Sequence, residues 1–148
     1  MTSVQYLAKL LTSGFPDDVR VTWFDSNDGE GFYYILLADS AYAVMIPKSK
    51  RKATPLVCLT LAHEVGHIKM MCLIRRDEGL LLNLFDGIPW WFRKVQRVWY
   101  WNRPLRWIRR MSGFGHKLKY APYDRLVGRY RWEHELFADW YAFKGGRV

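Results

Sequence analysis

Residues 63–67 read His-Glu-Val-Gly-His, and these residue types at this spacing suit the binding of a metal ion. An α-helix turns about 100° per residue, so His63 and His67 would lie on one face, one turn apart. Both imidazoles can then bind one Zn²⁺, while Glu64 serves as general base for a water on the ion. The alternative is a chance pentapeptide on a buried helix whose histidines are only packed.

The segment around this motif is predicted to be a buried helix. Thr54 is a suitable N-cap and Pro55 a suitable first helical residue. No proline follows until Pro89, and the residues after Pro55 are apolar on nearly all sides. Histidines inside such a helix need partners, which a metal ion would provide. Gly66 costs about 1 kcal/mol of helix propensity relative to alanine, and either allows another backbone to approach closely or is merely tolerated.

A zinc site needs at least a third protein ligand, and the segment 132–142 contains the best candidate. Glu135 and Asp139 are four residues apart and share one face of a second predicted helix. We expect Glu135 to bind the metal and Asp139 to accept a hydrogen bond from the second ring N–H of a ligand histidine. Glu133 and His134 project elsewhere and are weaker candidates. The alternative is a solvated acidic face, which the many apolar residues of this segment disfavour.

Two stretches of the sequence carry a family resemblance. The octapeptide TLAHEVGH at 60–67 and the pattern ExxADxYA at 135–142 resemble the ImmA/IrrE group of gluzincin metallopeptidases. The resemblance implies a small sheet, a helix with the H-E-x-x-H motif and a glutamate ligand on a later helix. It also implies that the substrate is a protein, such as a transcriptional repressor. The chain differs from the family pattern in the long basic, tryptophan-rich stretch between the two motifs.

We therefore expect a zinc metallopeptidase, a hydrolase in which Glu64 takes a proton from water and returns it to the leaving amine. An oxyanion partner is also needed, and the candidates, among which the sequence does not choose, are His116, Tyr120, Tyr123 and Tyr130. The rival interpretation is a non-enzymatic nucleic-acid- or membrane-binding protein with a structural metal site. Glu64 favours the enzyme, because a purely structural site has no use for a carboxylate beside an open coordination position.

The expected fold class is α+β, with a small, mostly antiparallel sheet packed on the buried H-E-x-x-H helix and on the second metal-ligand helix, as in zincins. Alternation and turn residues predict three strands before the metal helix, at Val19–Phe24, Phe32–Leu37 and Ala41–Ile46. Asp39 and Ser40 would form a tight turn between the last two strands. Ala41–Ile46, next to the metal helix in sequence, is the expected edge strand on which a peptide substrate would add.

Length and composition indicate one small domain spanning residues 1–148. The chain has 148 residues, is 50% hydrophobic and can bury a core without disulfides. Cys58 and Cys72 lie fourteen residues apart on the predicted metal helix, too far to pair with each other, and are expected to be small buried side chains. The first residues predict an amphipathic helix closed near Gly14 and not a signal peptide. The expected location is the cytoplasm, with peripheral membrane association if the basic segment binds lipid.

That basic segment, residues 93–131, holds twelve Lys or Arg and one acid, Asp124, for a net charge of 12 − 1 = +11. The whole chain carries +9, so the rest sums to 9 − 11 = −2. Interleaved tryptophans suit a nucleic-acid surface or an amphipathic helix over Pro89–Asn102 on an anionic membrane. The third interpretation is a lid over the cleft, with aromatic side chains inward. In each case we expect an insertion at about 76–131 within a single domain.

Overall fold

A computed structural model of the chain describes residues 3–26, 33–38, 40–47, 54–101 and 131–148. This part of the chain is mostly helical, with one small sheet, so the α+β class is confirmed. Its elements in chain order are α1 (Ser3–Thr12), β1 (Arg20–Ser26), β2 (Tyr33–Ala38), β3 (Ala41–Pro47), α2 (Pro55–Arg76), α3 (Glu78–Asp86), α4 (Trp90–Trp101) and α5 (Arg131–Phe143). The predicted helices and strands are therefore present, with bounds shifted by one or two residues.

The long helix α2 begins and ends at residues whose side chains fix the turns. Thr54 is the N-cap, with φ −74° and ψ 160°, and its hydroxyl accepts a hydrogen bond from the Val57 N–H at 3.3 Å, as predicted. Asp77 ends α2 and begins α3, because its carboxylate accepts a hydrogen bond from the Leu80 N–H at 2.9 Å. The chain therefore changes direction at a single residue, and α3 follows directly.

The sheet is mixed, and this corrects two expectations. Its strand order is β1-β3-β2, with β1 parallel to β3 and β2 antiparallel to β3. The prediction of a mostly antiparallel sheet therefore holds for the pair β2–β3 and is wrong for the pair β1–β3. The prediction that Ala41–Ile46 is an edge strand is wrong, since β3 is the central strand. The physical reason is that β1 does not pair with β2, which follows it, but with the other side of β3. Buried side chains on both faces of β3, at Tyr42, Ala43, Val44 and Ile46, fit this central position.

Helix α2 lies at the centre of the core. It makes its most extensive helix contact with α5, and it also packs against α1, α3, β2 and β3. The largest fully buried side chains are Tyr42, Tyr141, Phe137, Ile46, Leu61, Ile68, Met70 and Met71. Among the described residues, α2 alone has the length and composition to cross a membrane, with a mean hydropathy of 1.4 over its most apolar window. In this fold 67% of that window is buried inside the molecule, as in a core helix.

A glycine lets α2 and α5 approach closely. A Cβ atom placed on Gly66 would lie 3.0 Å from the Cα of Ala138 and 3.0 Å from the Cβ of Tyr141. These distances are shorter than ordinary carbon–carbon contacts of about 3.5–4.0 Å. The first of the two interpretations of Gly66, close approach of another backbone, is therefore confirmed.

Helices α3 and α4 fall within the expected insertion at 76–131, and α4 matches the helix predicted over Pro89–Asn102. Phe92 on α4 is buried and packs against the rings of Trp140 and Phe143 on α5, with ring centroids 4.9 and 5.5 Å apart. Arg93 donates hydrogen bonds to the carbonyls of Phe85 and Ile88 at the end of α3. Most of the basic segment, residues 102–130, lies outside the described residues.

Candidate metal centre

Helices α2 and α5 bring the three expected metal ligands together. His63 and His67 lie one turn apart on α2, and Glu135 lies near the start of α5, which packs across α2. One ligand atom from each of the three side chains falls within a group whose members are at most 4.8 Å apart. His67 and Glu135 are 68 residues apart in the sequence, and the packing of α5 on α2 brings their side chains together.

The distances within this group suit a shared cation. The Nε2 atoms of His63 and His67 are 3.0 Å apart, and the two carboxylate oxygens of Glu135 lie 3.0 Å from the first and 3.3 Å from the second. For bonds of about 2.0–2.1 Å, the ligand atoms of a tetrahedral zinc site are about 3.3–3.4 Å apart. Two imidazole lone pairs and a carboxylate aimed at one buried point repel each other unless a cation or protons lie between them. The donor set therefore fits zinc in both chemistry and spacing.

Burial and charge at this site work against each other. His63 and His67 are 8% and 3% exposed. Burial alone would raise the pKa of Glu135, but the charges of His67 and His63 and their hydrogen bonds hold that pKa well below its usual range. Burial alone would lower the pKa of His63, but the charge of Glu135 and the hydrogen bond to Asp139 raise it well above its usual range. The surroundings of His63, His67 and Glu135 thus favour a positive charge next to the Glu135 carboxylate, as a cation site requires.

Asp139 lies next to His63, one of the expected metal ligands. The Nδ1 atom of His63 is 2.8 Å from Oδ1 of Asp139, and both side chains are buried. The ring N–H at Nδ1 therefore donates to the carboxylate, which leaves the lone pair of Nε2 for the metal position. Such a hydrogen bond fixes the orientation of the ring and increases its basicity.

The position of His134 differs from the one predicted from the sequence. We expected it to project elsewhere, but it is 3% exposed and its Nδ1 atom lies 2.6 Å from Nδ1 of His67. It lies outside the group of three ligand atoms. Burial and the charge of His67 lower its pKa to about 3, so the ring is neutral. Its spacing from Ala138 and Tyr141 marks the α2-facing stripe of α5, and that stripe could have predicted its direction.

Glu64, the expected general base, is partly buried on α2 between the two histidines. Burial raises its pKa, while the charges of His67 and His63 oppose that rise. A raised pKa makes a carboxylate a stronger proton acceptor. Glu133, the other acid near Glu135, is half-buried and is not part of the ligand group.

Four expected site residues lie outside the described residues, namely the oxyanion candidates His116, Tyr120, Tyr123 and Tyr130.

Comparison of the chain with protein-family models, with curated proteins and with solved structures found no match.

Proposed function

We propose that this protein is a zinc-dependent metallopeptidase of gluzincin-like architecture. The observation that supports this proposal most directly is the buried triangle formed by two imidazole nitrogens and a carboxylate, with Glu64 next to one of the ligand histidines. A purely structural zinc site is usually closed by four protein ligands, whereas a catalytic site has three and an open position. Among the described residues, three ligands converge here.

In the proposed mechanism each side chain has one task. His63, His67 and Glu135 would hold Zn²⁺, which when bound would supply Lewis-acid chemistry at the scissile carbonyl and lower the pKa of a water molecule. Glu64 would accept a proton from the attacking water and deliver it to the leaving amine. Asp139 keeps the ring of His63 in the tautomer that presents Nε2 to the metal.

The substrate is proposed to be an extended segment of a protein, for which the resemblance at 60–67 and 135–142 suggests a transcriptional repressor. An extended peptide can add to a sheet edge through main-chain hydrogen bonds. Because β3 is central, β1 and β2 are the edges of the sheet in the described residues. Of these two strands, β2 packs against the metal helix α2, and we propose its outer edge as the docking strand.

Two measurements test the proposed function. Purified protein should contain about one Zn²⁺ per chain, which is lost in the double variant His63→Ala/His67→Ala and strongly weakened in Glu135→Ala. Full zinc occupancy of the double-histidine variant, measured by elemental analysis, would exclude the assignment of the ligands.

The second measurement separates chemistry from metal binding. Glu64→Gln removes the base and no ligand, so it should keep zinc and the melting temperature while abolishing cleavage. Fragments of cellular proteins that appear on expression of the wild-type chain, but not of Glu64→Gln, would identify the substrate. Glu133→Gln is the matched control, because it makes the same change on a glutamate outside the ligand group, and it should cleave normally. Equal cleavage by Glu64→Gln and wild type would refute the mechanism.

A second candidate function, in which the metal is structural, is binding to a polyanion through α4. Trp91, Val95 and Val98 form an exposed apolar stripe on α4, and Lys94 and Arg97 are exposed beside it. Val95 and Val98 favour an anionic membrane surface over a nucleic acid, because phosphates and bases offer aliphatic side chains little contact, whereas Trp91 suits either partner. The cations of residues 93–131 would add electrostatic attraction to either polyanion, and a peripheral membrane location belongs to this candidate.

Vesicles test this candidate. Mixing the protein with vesicles that contain phosphatidylserine should shift tryptophan fluorescence to shorter wavelength, and the effect should weaken with salt. Val95→Glu should abolish the shift, whereas the control Leu10→Glu, an equally exposed apolar residue on α1, should not. Absence of binding to vesicles, DNA and RNA at physiological ionic strength would leave the peptidase as the only proposal.

A further inference from the structure

The ring of His134 faces the ligand His67 across a short distance. The two Nδ1 atoms are 2.6 Å apart, and the ring centroids are 4.7 Å apart with 32° between the ring planes. Both side chains are 3% exposed. Two nitrogens at this distance share one hydrogen bond, so one of them carries the proton and the other accepts it.

The direction of this hydrogen bond follows from the position of the other ring nitrogen of His67. Nε2 of His67 lies 3.0 Å from Nε2 of His63 and 3.3 Å from a carboxylate oxygen of Glu135, at the point where the three ligand atoms converge. A metal ligand needs a lone pair at that nitrogen, so the proton of His67 sits on Nδ1. Nδ1 of His134 must then be the acceptor, and its own proton sits on Nε2.

That arrangement leaves a buried polar atom on His134. Its Nε2 atom is inaccessible to solvent and has no hydrogen-bond partner among the described residues. A buried N–H without a partner destabilises the fold, and an apolar side chain of similar size would avoid that cost. The compensating contact is the one to His67, which indicates that His134 serves the metal centre and not the packing of α5.

The two ligand histidines are therefore supported by different chemistry. His63 donates to the carboxylate of Asp139, whereas His67 donates to an imidazole. The usual partners of a metal-bound histidine are carboxylates, backbone carbonyls and water, so an imidazole is a departure. A neutral acceptor orients the ring without adding a negative charge to those of Glu135 and Asp139, which would preserve the ability of a bound metal to polarise a carbonyl.

We propose that His134 is a positioning residue, which holds His67 in the metal-binding tautomer by accepting its Nδ1–H as a neutral acceptor. This inference rests on the proposed zinc site. His134 lies outside the group of three ligand atoms.

Two variants test this role. His134→Leu fills a similar volume without an acceptor, and it should weaken zinc binding about 10–100-fold. The melting temperature of the metal-free protein should change little, because the substitution removes the unpaired Nε2–H of His134 together with the hydrogen bond to His67. His134→Asn places Oδ1 at the bonded position of the histidine Nδ1 and should restore most of the zinc affinity. A loss of zinc affinity at nearly unchanged metal-free stability separates a positioning role from a packing role, which would lower both.

Cobalt(II) provides a spectroscopic readout that does not depend on activity. In the wild-type protein loaded with Co²⁺, proton NMR should show two exchangeable, strongly shifted ring N–H resonances, from Nδ1 of His63 and of His67. The resonance of His67 should disappear by solvent exchange in His134→Leu and return in His134→Asn. Equal zinc affinity and both resonances in His134→Leu would overturn the positioning role while leaving the zinc site intact. A wild-type protein that binds neither metal would instead overturn the proposed function, and this inference with it.

Discussion

Replacing Gly66 with alanine tests whether the contact between α2 and α5 builds the metal centre. The added Cβ would lie 3.0 Å from the Cα of Ala138 and 3.0 Å from the Cβ of Tyr141. Carbon atoms pack at about 3.5–4.0 Å, so the two helices must separate locally by about 0.5 Å or more. The atoms that must move belong to the backbone and the first side-chain carbon of α5, and no change of rotamer can relieve the contact.

Two opposing effects set the change in stability. Alanine is better than glycine in a helix interior by about 0.8–1.0 kcal/mol, which stabilises the variant. Overpacking of a close contact costs about 1–3 kcal/mol. The expected net loss in the free energy of unfolding is therefore small, about 0–2 kcal/mol, and the variant should still fold.

Zinc affinity should respond more strongly than stability. His63 and His67 lie on α2 and Glu135 lies on α5, so any separation of the helices pulls the third ligand away from the first two. Metal sites tolerate deviations of only about 0.2 Å in bond length, which is less than the expected displacement. We expect zinc affinity, measured by competition with a chelator, to fall by about tenfold or more.

Gly79→Ala is the matched control, since it makes the same chemical change in a helix without a close neighbour. A Cβ on Gly79 would meet only the carboxylate oxygen of Asp77, at 3.6 Å. This variant should be as stable as the wild type or more so, by up to about 1 kcal/mol, with unchanged zinc affinity. If Gly66→Ala behaves like Gly79→Ala in both measurements, the inference that a close helix contact sets the ligand geometry is wrong.

Three further predictions concern the support of the site. Asp139→Ala should reduce zinc affinity or activity by about 10–100-fold without abolishing zinc binding, as measured by chelator competition. In the metal-free protein, the raised pKa of His63 contributes stability that is present at low pH and is lost as pH rises through that pKa. Denaturant titrations should therefore show that the free energy of unfolding declines above pH 6.5. An increase over this range would contradict the charge pairing of His63 with Glu135. Thr54→Ala should cost about 1 kcal/mol of stability through loss of the N-cap and leave the zinc content unchanged.

Features that depend on local periodicity could be predicted from the sequence. The N-cap at Thr54, the span of α2 and the common face of His63 and His67 all follow from residues close together in the chain. The approach of Glu135 to this face could also be expected, because the chemistry of a metal site demands a third ligand. Each of these features follows from one helix or one coordination rule and does not depend on the pairing of distant elements.

The pairing of elements that are distant in the chain could not be predicted from local sequence patterns. Strand alternation predicts that β1, β2 and β3 exist, but it does not say that β1 pairs with β3 on the side opposite to β2. The continuous burial of β3 fits its central position, and the nearly unbroken apolar run at 41–47 was the available indication. The predicted direction of His134 was wrong, because its spacing from Ala138 and Tyr141 places it on the stripe of α5 that faces α2.

The contact between Gly66 and Ala138 lies within the two motifs of the proposed site. Gly66 lies between His63 and His67 on α2, and Ala138 lies between Glu135 and Asp139 on α5. This close contact between the helices therefore has the side chains of the proposed metal site around it. The geometry of the site is then set by that crossing and by short-range contacts within the two helices. None of the three proposed ligands lies between α2 and α5 in the sequence, so a separate binding role for the long basic segment is compatible with the proposed site.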